Sequence, residues 1–138
     1  HVVLIGAGNM SARLAGVLHG RGQRALVIEN DADNPLVPVL QAHGHQVVIA
    51  DASKEASLRL AGADRASTIL VLTDRDSQNL HIALVARSLS EKATVCARID
   101  SPALARHVGT HAAIRASSPL LAAARAFAEE ATRLAPGS

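Results

Sequence analysis

Val2-Val3-Leu4-Ile5-Gly6-Ala7-Gly8-Asn9-Met10-Ser11 is the stretch whose reading decides the fold. A short run of β-branched and leucine residues breaks at Gly6, and helical periodicity starts at Asn9. Gly6 permits the tight turn that a strand-to-helix junction requires. Gly8 has no side chain to hold a phosphate away from the backbone. The helix that follows offers unpaired N–H groups and the positive end of its dipole. Ser11 stands where a third glycine is usual and is small enough to preserve close helix–strand packing. Alone, a G-x-G followed by a small residue three positions on is a weak signal, because a glycine turn can simply join two elements.

Working outward, Ala25 to Ile28 is a second apolar run, and Glu29 follows it, 21 positions after Gly8. A dinucleotide fold places there the acid that hydrogen-bonds a ribose diol, although a solvated strand-end carboxylate would look the same. Such an acid repels a 2′-phosphate, which disfavours NADP against NAD, ATP, ADP or AMP. Further runs occupy Val47 to Ala50, Thr68 to Leu72, Thr94 to Ile99 and Ala112 to Ile114. Helical patterns lie between them. The first spans about Asn9 to His19, with Met10, Leu14, Val17 and Leu18 on one face. Others span Asn34 to His43, Ser53 to Ala61 with Ser53 as N-cap and Ala56, Leu58 and Leu60 as apolar positions, and Arg75 to Leu89. Ser101-Pro102 opens a helix expected to stop at Gly109, and Ser118-Pro119 opens the last helix, which fades before Pro136.

Strands nearly continuous in apolar residues, alternating with helices, describe a parallel sheet covered on both faces. Right-handed crossovers then give a Rossmann-type doubly wound α/β fold, three layers deep, with six strands in the order 3-2-1-4-5-6. The 138 residues fit one domain, and the start at His1, directly before an apolar run, reads as a piece of a longer protein.

Composition excludes several classes. The formal net charge is +2, and Phe127 is the sole aromatic residue. With no basic run and no stacking platform, nucleic acid is not an expected partner. No apolar stretch approaches the roughly 20 residues that span a bilayer. Cys96 is the single cysteine, so no internal disulfide forms.

Other residues fall at strand ends, where ligands bind in such sheets. Asn30 and Ala52 flank the acids Glu29 and Asp51. Asp51 ends the third run, placed either near a base or as a helix N-terminal acid. Thr73 ends the fourth, followed by Asp74 and Asp76 as candidate helix caps. Arg98 ends the fifth, positioned to reach phosphate or to pair with a carboxylate across an interface. His43-Gly44-His45 reads as a solvated turn rather than a metal site. No nucleophile elbow or P-loop lysine is present, so neither catalytic nor metal-binding residues are expected.

The whole arrangement resembles the N-terminal domain of RCK proteins, the regulators of potassium conductance, also known as TrkA-N. The matching stretches are residues 1–8, Val47 to Leu58 around Asp51, Leu60 to Ala66, Ile69 to Asp74 with Asn79-Leu80, and Ala97-Arg98-Ile99. The resemblance implies a regulatory domain on the cytoplasmic side of the cell membrane, serving a potassium channel, a transporter or a cation/proton antiporter. It implies binding of NAD(H), ATP, ADP or AMP by Gly6, Ala7, Gly8, Asn9, Met10, Glu29, Asn30, Asp51, Ala52, Thr73 and Arg98. It also implies dimers, up to an octameric gating ring.

This sequence departs from that pattern in places. Several transporter regulators have an arginine where Asn9 stands, so tight triphosphate-selective binding is not expected. Ala50 replaces a glycine before Asp51. Thr73 and Arg98 stand where calcium-gated members use carboxylates, so that calcium site is not expected. The last helix carries an apolar stripe of Leu120, Leu121, Ala124, Phe127 and Ala128, able either to pack on its own sheet or to meet a partner. The expectation is a nucleotide-sensing regulator, not an enzyme. The alternatives are the cofactor half of an NAD-dependent dehydrogenase, and an assembly module with a vestigial crevice.

Overall fold

A computed structural model describes residues 1–111 and 113–134. Its strands are β1 (Val2–Ile5), β2 (Ala25–Glu29), β3 (Gln46–Ile49), β4 (Thr68–Val71), β5 (Thr94–Arg98) and β6 (Arg115–Ser117). They form one sheet in the order β3-β2-β1-β4-β5-β6, with every adjacent pair parallel. The helices are α1 (Asn9–Gly20), α2 (Leu36–Ala42), α3 (Glu55–Leu60), α4 (Asp76–Leu89), α5 (Pro102–His111) and α6 (Pro119–Leu134), with a 3-10 turn at Ala63–Arg65 before β4.

Alternation along the central strands divides the core in two. On β1, Leu4 joins Val27, Ala15, Leu18, Val37 and Leu40 beneath α1 and α2. Val3 and Ile5 face the other way, with Ile69, Val71, Leu58, Ile82 and Ala83 beneath α3 and α4. Both faces are dry, which is why these strands read as unbroken apolar runs.

Several local details differ from the sequence reading. The sixth strand is Arg115–Ser117 rather than Ala112 to Ile114; Ala112 lies outside the described residues. Helix α5 passes through Gly109 to His111, and Ala113 then takes a left-handed φ of 50°. This break drops Ile114 into the core and delays the strand to a polar triplet that apolar periodicity could not reveal. On α1 the buried stripe is Ser11, Ala15 and Leu18; small residues let the helix lie close to the sheet, leaving Val17 half exposed. Ser53 does not cap α3, because its N–H and hydroxyl both bond to Asp51; Leu60 on that helix is 73% exposed. His45 is buried rather than solvated. Its Nδ1 accepts the Ala25 N–H at 3.4 Å, and its Nε2 lies 3.0 Å from the Ala15 carbonyl.

Helix α6 does not pack on its own sheet. Residues 120–133 are all exposed, with Leu120 at 63% and Phe127 at 77%. Truncating a buried side chain and an exposed one should therefore differ sharply in urea unfolding of the monomeric, dilute chain. Leu58→Ala should cost about 2–5 kcal/mol, whereas Phe127→Ser should stay within about 0.5 kcal/mol. Equal losses would mean that α6 docks on its own domain.

Candidate functional site

The connections from β1 and β4 leave for opposite faces of the sheet, which opens a crevice above the C-terminal ends of the strands. Its volume is about 690 Å³. All eleven residues singled out from the sequence line it: the loop Gly6 to Met10, then Glu29, Asn30, Asp51, Ala52, Thr73 and Arg98.

Gly6 is required by the fold. Its φ is +97°, and a Cβ there would lie 3.3 Å from the Thr73 nitrogen and 3.4 Å from Leu72. Gly8 is different. Its backbone (φ −88°, ψ −175°) suits any residue, and no protein atom lies within 4 Å of where a Cβ would sit. Gly8 is also the N-cap of α1, with no side-chain cap and no acid in the first turn, so the first N–H groups of the helix remain available. A Cβ at Gly8 would clash with no part of the protein and would stand at the lining of the crevice.

Glu29 is not a solvated strand-end acid. It is only 9% exposed, and its Oε1 accepts the Asn30 N–H at 3.1 Å. Its Oε2 accepts from Asn34 Nδ2, which also donates to the Ala7 carbonyl at 3.1 Å. Asn34 Oδ1 takes the Leu36 N–H at 2.9 Å and so starts α2. One asparagine thus ties the glycine loop to the strand-end acid. Two of the roughly four lone-pair directions of Glu29 are then in use.

Asp51 is exposed and accepts the Ser53 hydroxyl at 2.6 Å and the Ser53 N–H at 2.9 Å. These bonds favour the charged form and hold its carboxyl below the usual range, so it stays ionised through neutral and mildly acidic pH.

The β4–β5 side is pinned by Asn79, which is 0% exposed. Its Oδ1 accepts the Thr73 N–H at 3.1 Å and the Thr73 hydroxyl, while its Nδ2 donates to the carbonyls of Thr73 at 3.0 Å and Arg98 at 2.8 Å. Asp76 caps nothing on its own helix. Its carboxylate accepts the N–H groups of Asp100 and Ser101, both at 2.9 Å, and so fastens the β5–α5 junction. Arg98 pairs within its own chain, with Nη2 3.1 Å from Asp100 Oδ2. Asp100 also accepts the hydroxyl of Ser118, the residue that caps α6 through the Leu121 N–H.

The residues missed from sequence are therefore Asn34, Asn79 and Arg75, which also lines the crevice. Asn34 precedes Pro35, and an Asn-Pro pair is a turn signal that marks the start of α2 without revealing the partners of the Asn34 amide. Asn79 shares the spacing of the buried positions Ile82, Ala83 and Ala86 on α4, and a polar residue on a buried stripe implies hydrogen-bond partners.

A doubly wound sheet with a glycine-loop crevice defines a nucleotide-binding class of fold. More narrowly, the sequence model of the TrkA-N domain matches residues 2–119, and the chain belongs to that family. It is 31% identical over 104 residues to the voltage-gated potassium channel Kch of Escherichia coli, covering 73% of this chain and 25% of Kch. It is 31% identical over 101 residues to the Trk system potassium uptake protein TrkA of Vibrio alginolyticus, covering 73% of this chain and 22% of that one. The chain thus spans about a quarter of these relatives' length.

Solved structures agree on the fold. The TrkA-N domain of the inner membrane protein ybaL of Escherichia coli superposes with a TM-score of 0.83 at 21% identity, with 94% of each chain covered. The AMP-bound Kef C-terminal domain of Shewanella denitrificans gives 0.81 at 18% identity, covering 99% of this chain and 82% of that one. The GsuK channel bound to NAD gives 0.73 at 21% identity, covering 87% and 21%.

Two substitutions test this framework through chemical denaturation. Asn79→Ala leaves Thr73 and Arg98 backbone groups unpaired and should cost about 3 kcal/mol. Ser11→Ala should go the other way. Ser11 is 0% exposed, and its hydroxyl has no hydrogen-bond partner among the described residues. Removing it should stabilise the chain by about 1 kcal/mol.

Proposed function

We propose that this chain is the nucleotide-sensing regulatory domain of a potassium channel or potassium transport protein, working on the cytoplasmic side of the membrane and catalysing no reaction. The observation that carries this reading is Gly8. Its conformation and its surroundings make no demand for glycine, yet it stands at the N-terminus of α1, where a side chain would take the place of a ligand phosphate. Glu29, held in place by Asn30 and Asn34, offers its remaining lone pairs to a ribose diol, which favours NAD, AMP, ADP or ATP over NADP. The likeness to Kch and TrkA supports a potassium-transport parent, and AMP or NAD in the Kef and GsuK structures supports an adenine-containing ligand.

Regulation then rests on differential affinity. A ligand that binds two arrangements of the domain unequally shifts their populations, and no catalytic group is needed. The exposed apolar stripe of α6 supports a dimer as the unit through which such a shift is passed on.

Titration calorimetry with NAD, AMP, ADP and ATP tests the ligand. At least one should bind below millimolar concentration. Gly8→Val should abolish that binding while costing the fold no more than about 1 kcal/mol, the loss of a favoured N-cap, and Glu29→Ala should weaken it on the order of tenfold. Retained affinity in both variants would show that the ligand sits elsewhere. For self-association, sedimentation should find a dimer that Phe127→Glu converts to monomer; a monomer at all concentrations would remove α6 from the interface.

A further inference from the structure

If the crevice is a nucleotide site, its charges draw a further distinction among nucleotides. The chain carries a formal net charge of +2. The crevice is the reverse, lined by the carboxylates Glu29, Asp31, Asp51 and Asp74 against two guanidiniums, Arg75 and Arg98. These charges are also sorted by position. Glu29 ends β2, Asp31 follows it and Asp51 follows β3, on the side where a ribose diol would be held. Asp74 and Arg75 follow β4 and Arg98 ends β5, beside the glycine loop, where Gly6 abuts the backbone of Leu72 and Thr73.

A phosphate laid against the start of α1 therefore meets one carboxylate and two guanidiniums, and those two are not equivalent. Arg98 is committed to Asp100, with Nε at 3.2 Å and Nη2 at 3.1 Å from the same oxygen. The Arg75 side chain is exposed, and the ion pairs among the described residues belong to Arg59, Arg98 and Arg133. Arg75 is thus the cation at this end that can turn to a ligand without giving up a partner.

We propose that Arg75 is the phosphate-reading residue of the crevice, and that it limits the ligand to a nucleoside carrying one phosphate or a diphosphate, with a triphosphate rejected. A guanidinium fork pairs with one phosphate group at a time, and the helix N-terminus can take the next. A third phosphate finds no uncommitted cation and lies in the field of Asp74, where like charges repel. The limit rests on the nucleotide reading above but is separable from it.

Titration calorimetry of the 138-residue chain with adenosine, AMP, ADP, NAD and ATP, in magnesium-free low-salt buffer, decides it. AMP, ADP and NAD should bind on the order of tenfold more tightly than ATP. Arg75→Gln should narrow the gap between AMP and adenosine on the order of tenfold, and Asp74→Asn should narrow the gap between AMP and ATP. Both side chains are exposed, so unfolding midpoints should not move. ATP bound as tightly as AMP overturns the limit, and so does an Arg75→Gln chain that still separates AMP from adenosine as widely as the parent does. Either result leaves the crevice a nucleotide site. Failure of the unaltered chain to bind any of the nucleotides overturns both readings.

Discussion

Everything in this molecule depends on the handedness of its crossovers. A right-handed connection from β1 to β2 puts α1 on one face, and the same handedness from β4 to β5 puts α4 on the other. β1 and β4 are paired neighbours, and Gly6 lies against the backbone of Leu72 and Thr73. The chain leaves the two strands towards opposite faces, so neither helix fills the space above their ends. The crevice is a consequence of topology before any side chain is chosen. The side chains decide what it holds.

What they supply is rigidity at the rim. Asn34 joins the glycine loop to Glu29, and Asn79 joins the ends of β4 and β5. Each asparagine serves as donor and acceptor at once, so two amides fix four backbone segments without introducing charge. A carboxylate buried like Glu29 would be costly in isolation, and its bonds to Asn30 and Asn34 offset that desolvation. A site held this way needs little reorganisation to receive a ligand.

The sheet order and the crevice residues were legible because they follow from simple signals. Unbroken apolar runs mean strands dry on both faces, and strand ends in a doubly wound sheet converge on one edge. Side-chain pairings were not legible, since they join residues far apart in sequence, such as Asp76 to Asp100 and Asn79 to Arg98. Strand β6 escaped for another reason. Arg115, Ala116 and Ser117 form an edge strand whose pairing to β5 is set by backbone bonds, so nothing in their polarity marks it. The buried face of α1 is not marked by its largest apolar residues, because small Ser11 and Ala15 allow a close approach to the sheet that Met10 and Val17 would prevent.

Helix α6 brings these strands of argument together. A 16-residue helix with almost no tertiary contact is marginal in water, since helices of that length draw most of their stability from packing. Its sequence nonetheless keeps an apolar stripe at helical spacing, and its first turn is tied by Ser118 to Asp100, which also holds Arg98 at the crevice. The base of the helix is therefore part of the crevice framework, while its length has no surface on this domain to cover it. A change in the packing of α6 would therefore be felt first at Asp100 and Arg98, at the β5 end of the crevice.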